Sequence, residues 1–326
     1  MSQRARETAS EGPGLLSRRG VLRLTGAGLS LIAVCYGLAR FAYGLFVPVF
    51  RAEFDLDAAT AGAIASGSYA AYCVAIVVST VLTPRFGGRI VAVAAGVVAT
   101  AGTLMIAAAP STIVLTAGML LAGSSTGVAS PPVAHAVAHT VAAARRNRAQ
   151  TVINAGTGVG VAIAGPIALL THEHWRTAWL VFSALCALVT IWAAVCVPGA
   201  AAQDRRAGGL QQVLPHPVLP KGSGRMVMAA ATMGIASAAV WTFGRDIFVT
   251  EGQMSEQAST TAWIVLGAFG VAGAATGDLA ERFGIARSWT TIMLTLAAAT
   301  ALIAAAPDSS FIAWAAAAVF GAPTSA

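Results

Sequence analysis

The segments "TVLTPRFGGR" (Thr80–Arg89) and "GDLAERFGIAR" (Gly277–Arg287) share the tripeptide Arg-Phe-Gly, and each connects two long apolar runs. Phe86 and Phe283 are separated by the same number of residues as the first residues of the two segments. Self-similarity at a fixed offset is the sequence signature of a duplicated structural unit. The recurrence therefore predicts a chain built from two related halves, with these segments at matching places.

The apolar runs predict the environment of both halves. The chain has 326 residues, of which 57% are hydrophobic and 10% are charged, and its mean hydropathy is +0.74. Soluble domains carry about 25% charged residues, whereas an apolar run of about 20 residues crosses about 30 Å of hydrocarbon. Unbroken runs of Ala, Gly, Leu and Val, without the alternation of a barrel, predict an all-α polytopic membrane protein in contact with the lipid bilayer.

The basic residues predict the orientation of the spans. Sixteen Lys and Arg residues fall in segments on one side, and two, Arg51 and Arg176, fall on the other. This asymmetry predicts a multi-pass protein of the plasma (inner) membrane with a cytoplasmic N-terminus. Arg18 and Arg19 also match a twin-arginine export signal, but the further spans favour a basic cytoplasmic tail over 1–23. The predicted spans are nine complete runs and a partial tenth: 24–49, 59–82, 90–109, 112–142, 150–170, 177–197, 226–248, 259–280, 288–306 and a run from 310 onward.

A polar segment divides the chain. Residues 198–225 are rich in Pro, Gly and polar side chains and predict a cytoplasmic linker. The linker separates an N-terminal six-helix bundle, 24–197, from a C-terminal bundle, 226–326. The second bundle is expected to be incomplete, because only three complete spans and a partial one follow the linker.

The net charge of +7 does not indicate a nucleic-acid partner, since the basic residues lie in short loops without an aromatic-studded basic surface. The four cysteines lie in apolar runs without the spacing of a metal or redox site, so they are interpreted as packing residues. No cofactor and no metal are predicted.

The second repeat segment fits the G-x-L-a-D/E-R-x-G motif of the major facilitator superfamily of transporters, and the first fits it less well. The stretches "GLARFAYGLFVP", "ASGSYAAYCVA", "WRTAW" and "WTFGRDIF" resemble a prokaryotic branch of that superfamily. The resemblance implies two six-helix bundles around a central substrate cavity and transport by alternating access. It makes Arg85, Glu281 and Arg282 candidate gating residues, and it implies that the chain, which stops inside a tenth span, is truncated. "GTGVGVAIAGP" (Gly156–Pro166) is similar to the family's antiporter glycine motif but differs in spacing.

Span one contains an arginine in the stretch "CYGLARFAYGLF". The Arg40 guanidinium keeps its proton and costs about 2.5–3.5 kcal/mol near the middle of a bilayer. Helical spacing places Tyr36, Tyr43 and two glycines on the face of Arg40. Because the resemblance implies that span one lines the cavity, we predict that these three side chains bind substrate, with Arg40 anchoring a carboxylate or other anionic group. A structural ion pair or a carbonyl clamp is the alternative.

Span seven contains Arg245 and Asp246, which are candidates for coupling or gating. Adjacent residues do not share a helix face, so one of the two is expected to point inward, and snorkelling to the outer interface is the alternative. Asp246 could pair with Arg40, or carry a coupling proton if burial raises its pKa.

Further candidates lie in the other spans. His135 and His139 share a face near the cytoplasmic end and predict a proton relay or gate, with a structural pair as the alternative. Asn154 and Tyr69 are predicted to bind substrate, although either could instead hydrogen-bond a neighbouring helix.

Three function classes follow. The leading one is a secondary transporter of a small organic solute. Coupling to an ion such as the proton is expected from the resemblance and from the absence of a Walker motif. A membrane enzyme is disfavoured because neither HExxH nor GxSxG occurs in the sequence. A non-transporting remnant or membrane binding protein remains the alternative.

Overall fold

The computed structural model describes residues 15–171, 174–199, 223–272 and 282–324. The predicted tail up to residue 14, most of the predicted linker and the candidate gating residue Glu281 lie outside the described residues. Within them the regular structure is helical, as predicted. The helices are α1 (Arg18–Phe54), α2 (Ala58–Phe86), α3 (Gly88–Ala107), α4 (Thr112–Thr140), α5 (Ala143–Thr171), α6 (Trp175–Cys196), α7 (Ser223–Thr250), α8 (Glu256–Val271), α9 (Ile285–Ala305) and α10 (Ser310–Thr324).

Eight of these helices, all except α8 and α10, are long and apolar enough over the described residues to cross a membrane. They begin and end within a few residues of the predicted spans. Several extend beyond the apolar run because polar side chains at the ends cap them. At the start of α2, for example, the Asp57 carboxylate accepts a hydrogen bond of 2.7 Å from the Thr60 backbone N–H. Hydrogen bonding to the Thr60 side chain and to its backbone lowers the pKa of this exposed carboxyl.

The helix ends define two sides of the molecule. We call the side with Arg85 and the 145–148 arginine cluster the basic end, and the side with Glu53, Asp57 and Glu256 the acidic end. The connections α2–α3 and α4–α5 lie at the basic end, whereas α1–α2 and α7–α8 lie at the acidic end.

The repeated tripeptide has the same backbone geometry in both halves. Gly87 immediately precedes α3 with φ 83° and ψ 153°, and Gly284 immediately precedes α9 with φ 83° and ψ 148°. A residue with a side chain rarely adopts a positive φ of this size, whereas glycine does so readily. Gly87 is therefore required by the tight turn between α2 and α3, and Gly284 adopts the same conformation directly before α9.

Small residues bring α1, α5 and α8 into close contact. A Cβ on Gly37 of α1 would overlap the backbone of Gly160 in α5, and a Cβ on Gly158 would overlap the backbone of Gly270 in α8. α5 therefore contacts the first half through one face and the second half through another. Close backbone approach at small residues is how helices pack where lipid offers no hydrophobic driving force.

α1 contains a nine-residue π-helical segment, Ala33–Phe41, which ends one residue past Arg40. The wider π turn rotates the side chains relative to α-helical spacing. The predicted common face is consequently wrong in part: Gly37 packs against α5, whereas Tyr36 contacts α4 and Arg40 contacts α2 and α4.

We expect Gly160→Ala to lower the midpoint of thermal unfolding of the detergent-solubilised protein, because the added methyl group must push α1 away from α5. Overpacking of this kind costs about 1–3 kcal/mol. Gly234→Ala is the matched control, since a Cβ there meets nothing within 4 Å and alanine favours the helix. Equal midpoints for the two variants would contradict the role of this contact.

Candidate functional site

A cavity of about 710 Å³, which we call the large cavity, opens among the described helices. Its wall comes from α1, α2, α4 and α5, on the parts of these helices nearer the basic end. The lining residues are Ile32, Tyr36, Phe41, Ile76, Thr80, Thr83, Pro84, Ser130, Pro131, Ala134, His135, Gln150, Asn154 and Thr157. This described lining combines apolar surface with hydroxyl, amide and imidazole groups and contains no Asp, Glu, Lys or Arg.

Two hydrogen bonds orient polar groups at the cavity wall. The Tyr36 hydroxyl and the Ser130 hydroxyl are 2.7 Å apart and join α1 to α4. In α5 the Gln150 amide donates to the Asn154 carboxamide oxygen over 3.1 Å. The regular part of α5 breaks at Ala155, directly after Asn154, so Asn154 lies at a bend where its side chain contributes to the cavity.

The histidines of α4 lie at the basic end, and they share a helix face, as their spacing predicts. Their ring centroids are 4.0 Å apart, and the Nδ1 atom of His139 lies 2.8 Å from the His135 carbonyl oxygen. His135 lines the large cavity, whereas the ring of His139 is on the exposed side. Each ring also borders a small pocket next to the turn that contains Gly87.

Aromatic stacking closes the cavity toward the acidic end. The rings of Phe41 in α1 and Trp241 in α7 stack with centroids 4.1 Å apart. Directly beyond them, Gly44 lies against the Trp241 carbonyl, where a Cβ would overlap that oxygen. Trp241 in turn packs edge-on against Trp263 of α8. The two halves are thus in direct contact on the acidic side of Phe41.

Arg40 lies behind Phe41 and is not part of the large cavity's wall. Its guanidinium carbon lies 4.3 Å from the centroid of the Tyr69 ring and 4.4 Å from that of Tyr72, both in α2. One terminal nitrogen donates to the Thr126 hydroxyl over 3.3 Å. The predicted substrate residue Tyr69 therefore contacts Arg40, and Tyr43 donates its hydroxyl to the Ala61 carbonyl oxygen over 2.9 Å.

Ionic contacts join the halves at the acidic end. Asp246 of α7 accepts a hydrogen bond of 2.5 Å from Arg51, in the last turn of α1. Arg245 donates to the Leu45 carbonyl oxygen of α1 over 2.5 Å and to the Ser259 hydroxyl of α8 over 3.2 Å. Both contacts to α1 cross from one half of the protein to the other.

The expectation that only one of Arg245 and Asp246 points inward is wrong. Their exposed fractions are 5% and 4%, because α7 has α1 on one side and α8 on another, so adjacent residues each find a buried partner. Asp246 pairs with Arg51 and not with Arg40. The sequence assigned Arg51 to an outer loop, since the apolar run ends before it, and no local pattern indicated that α1 continues to Phe54.

The remaining gating candidates Arg85 and Arg282 are exposed at the basic end, and neither forms an ion pair with another described residue. The sequence did not identify Phe41, Trp241, Ser130 or Thr126 as site residues. Isolated aromatic and hydroxyl residues are common in apolar helices, so only their positions in space distinguish them.

Comparison with known proteins identifies the architecture. Residues 29–326 match the family model described as Major Facilitator Superfamily, whereas no curated protein sequence matches the chain. A bacterial homologue of the human lysosomal transporter Spinster, inward-facing and unoccupied, is similar with a TM-score of 0.70 and 15% identity, over 95% of this chain and 74% of that chain. A variant of the nucleoside transporter NupG gives 0.68 and 14%, over 94% and 80%. At such identities the solved structures show the fold alone.

We expect Arg51→Gln to lower the thermal unfolding midpoint in detergent, because it leaves the buried carboxylate of Asp246 without its cation. Breaking one side of a buried pair costs about 3–5 kcal/mol, and the half-exposed position of Arg51 places this case at or below the low end. Arg176→Gln is the matched control, since Arg176 pairs with Glu53 on the surface of the same end and exposed pairs contribute about 0–1 kcal/mol. A larger loss in the control would contradict the assignment.

Proposed function

The chain belongs to the Major Facilitator Superfamily, and on that premise we propose that it is a secondary active transporter of a small organic solute that works by alternating access. The observation that carries the proposal is the cavity of about 710 Å³ at the basic end, closed on its other side by contacts between the halves. Its size suits a small organic molecule. The family is not enzymatic, in agreement with the sequence.

The charge asymmetry supports a direction for the cavity. Arginines concentrate at the basic end, which the positive-inside rule assigns to the cytoplasm. We infer that the cavity is open to the cytoplasm and that the acidic end faces outward. The similarity to an inward-facing structure is in line with this state.

The contacts at the acidic end are the proposed outer gate. Closing it brings together Arg51 with Asp246, Arg245 with the Leu45 carbonyl, and Phe41 with Trp241. An outward-open state must separate all three contacts, because each joins α1 to α7. A ligand opens the gate only if it binds the open state more tightly than the closed state, by at least the free energy that holds the gate shut.

We propose that the solute contacts Tyr36 and Asn154 at the cavity wall, where hydroxyl and amide groups can both donate and accept hydrogen bonds. An anionic group on the solute would find its charge partner in Arg40, with Tyr69 and Tyr43 beside it. Arg40 becomes accessible only when Phe41 moves, so this contact belongs to an occluded or outward-open state.

Proton coupling is proposed for the histidine pair or for Asp246. His135 and His139 contact each other, and the pair borders the cavity and the basic-end turn. Asp246 faces Arg51 on α1 and lies next to Arg245, so protonation of its carboxyl would weaken the outer gate. Either arrangement links a proton to one conformation.

The function is tested with purified protein in liposomes and a panel of radiolabelled neutral, zwitterionic and carboxylate solutes. We expect at least one solute to accumulate above the level of empty liposomes, and Asn154→Ala to reduce its uptake about fivefold through loss of a hydrogen bond. Arg40→Ala should abolish uptake if the solute is anionic, and Arg176→Ala should not. Uptake equal to that of empty liposomes across the panel would contradict transport by this chain.

The outer gate is tested by thiol labelling in intact cells. In a background without native cysteines, a cysteine at the buried position Ala65 should react slowly with an impermeant maleimide added outside. We expect Asp246→Asn to increase the labelling rate about tenfold, because the ion pair to Arg51 is lost. Arg176→Gln is the control at the same end, and an unchanged rate in Asp246→Asn would argue against the gate.

A further inference from the structure

A second, small space of about 20 Å³ lies on the acidic side of Phe41, between the halves. Arg40 and Ser68 line it from the first half, and Trp241 and Thr242 line it from the second. Among the described residues, the Arg40 Nε and the Ser68 hydroxyl are buried without a hydrogen-bond partner. A buried polar atom without a protein partner calls for an explanation, and a bound water or ion is one; here two such atoms line the same space.

Arg40 also lacks a counter-charge in the described part of the chain. No carboxylate there lies within 4.0 Å of its guanidinium, and Asp246, the nearest acid along α7, pairs with Arg51. The rings of Tyr69 and Tyr72 stabilise the positive charge through their faces. A ring face is not an anion, however, and an arginine in a membrane interior is normally paired.

The size of the space limits the ligand. A volume of about 20 Å³ suffices for one particle of roughly the size of a water molecule, which excludes an organic solute. A water molecule could bond Ser68 and the Arg40 Nε but would leave the charge uncompensated in a low-dielectric site. A monatomic halide fits the space and satisfies both requirements.

We propose that this space is a binding site for a small monovalent anion of chloride size, held by Arg40 and Ser68 and completed by Thr242. The site has walls from both halves, so it is intact only when the acidic end is closed. Anion binding therefore favours the closed outer gate, and by linkage any ligand that opens the gate weakens anion binding. The site is distinct from the large cavity, which Phe41 separates from it.

The proposal is tested by thermal unfolding of the full chain in detergent, with sodium chloride or bromide replacing sodium gluconate at constant ionic strength. We expect the unfolding midpoint to rise above its value in gluconate as the halide concentration increases, and then to reach a plateau. Arg40→Gln should abolish the halide effect, and Ser68→Ala should weaken the apparent halide affinity about tenfold by removing one hydrogen bond to the anion. Arg176→Gln should keep the wild-type response.

Crystals of the wild-type protein grown in bromide provide a second measurement that needs no folded variant. An anomalous peak in the space lined by Arg40 and Ser68 supports the proposal. Three results would overturn the proposal. The space could hold a water molecule without a bromide signal, the unfolding midpoint could be the same in gluconate and in halide, or the halide effect could survive Arg40→Gln. Neither experiment uses a vesicle or a gradient. The results of both are therefore independent of whether the proposed transport is observed.

Discussion

Charge in a low-dielectric interior must be met by a partner, and this constraint organises the contact between the two halves. Arg40, Arg245 and Asp246 are all buried at or near the place where α1 meets α7. Each costs free energy in the bilayer unless protein groups compensate it. Arg245 and Asp246 find that compensation across the boundary, in the Leu45 carbonyl oxygen and in Arg51. Arg245 also lies 3.9 Å from the carboxylate of Glu256 in α8, so Asp246 is the charge that depends on α1 for its ionic partner.

Small residues make these contacts possible. The backbone of α1 approaches α5 at Gly37 and Gly160 and approaches α7 at Gly44. A larger residue at any of these positions would separate the helices and lengthen the hydrogen bonds that link the halves. The compensation of charge thus depends on the glycines, because the short separation of the helices brings the guanidinium groups within hydrogen-bonding distance of their partners.

The large cavity and the Arg40 site differ in what they can bind. The cavity wall offers uncharged hydrogen-bonding groups and apolar surface, which suits an organic solute of modest polarity. The space beside Arg40 is small and offers a positive charge without a carboxylate partner among the described residues. Phe41 separates the two and stacks on Trp241, so a movement of this one aromatic pair would alter both sites together.

The sequence by itself determined the membrane-embedded all-helical fold, the matching places of the two Arg-Phe-Gly tripeptides, and the family, because hydropathy, charge asymmetry and a repeated motif are local features of a sequence. It also singled out Arg40, Arg245 and Asp246, since a charge in an apolar run is conspicuous. Only the tertiary structure decided their partners: the π-helical segment rotates Arg40 toward Tyr69 and Tyr72, and α1 extends far enough to bring Arg51 to Asp246. Those pairings depend on helix rotation and on contacts between residues far apart in the chain, which no local pattern encodes.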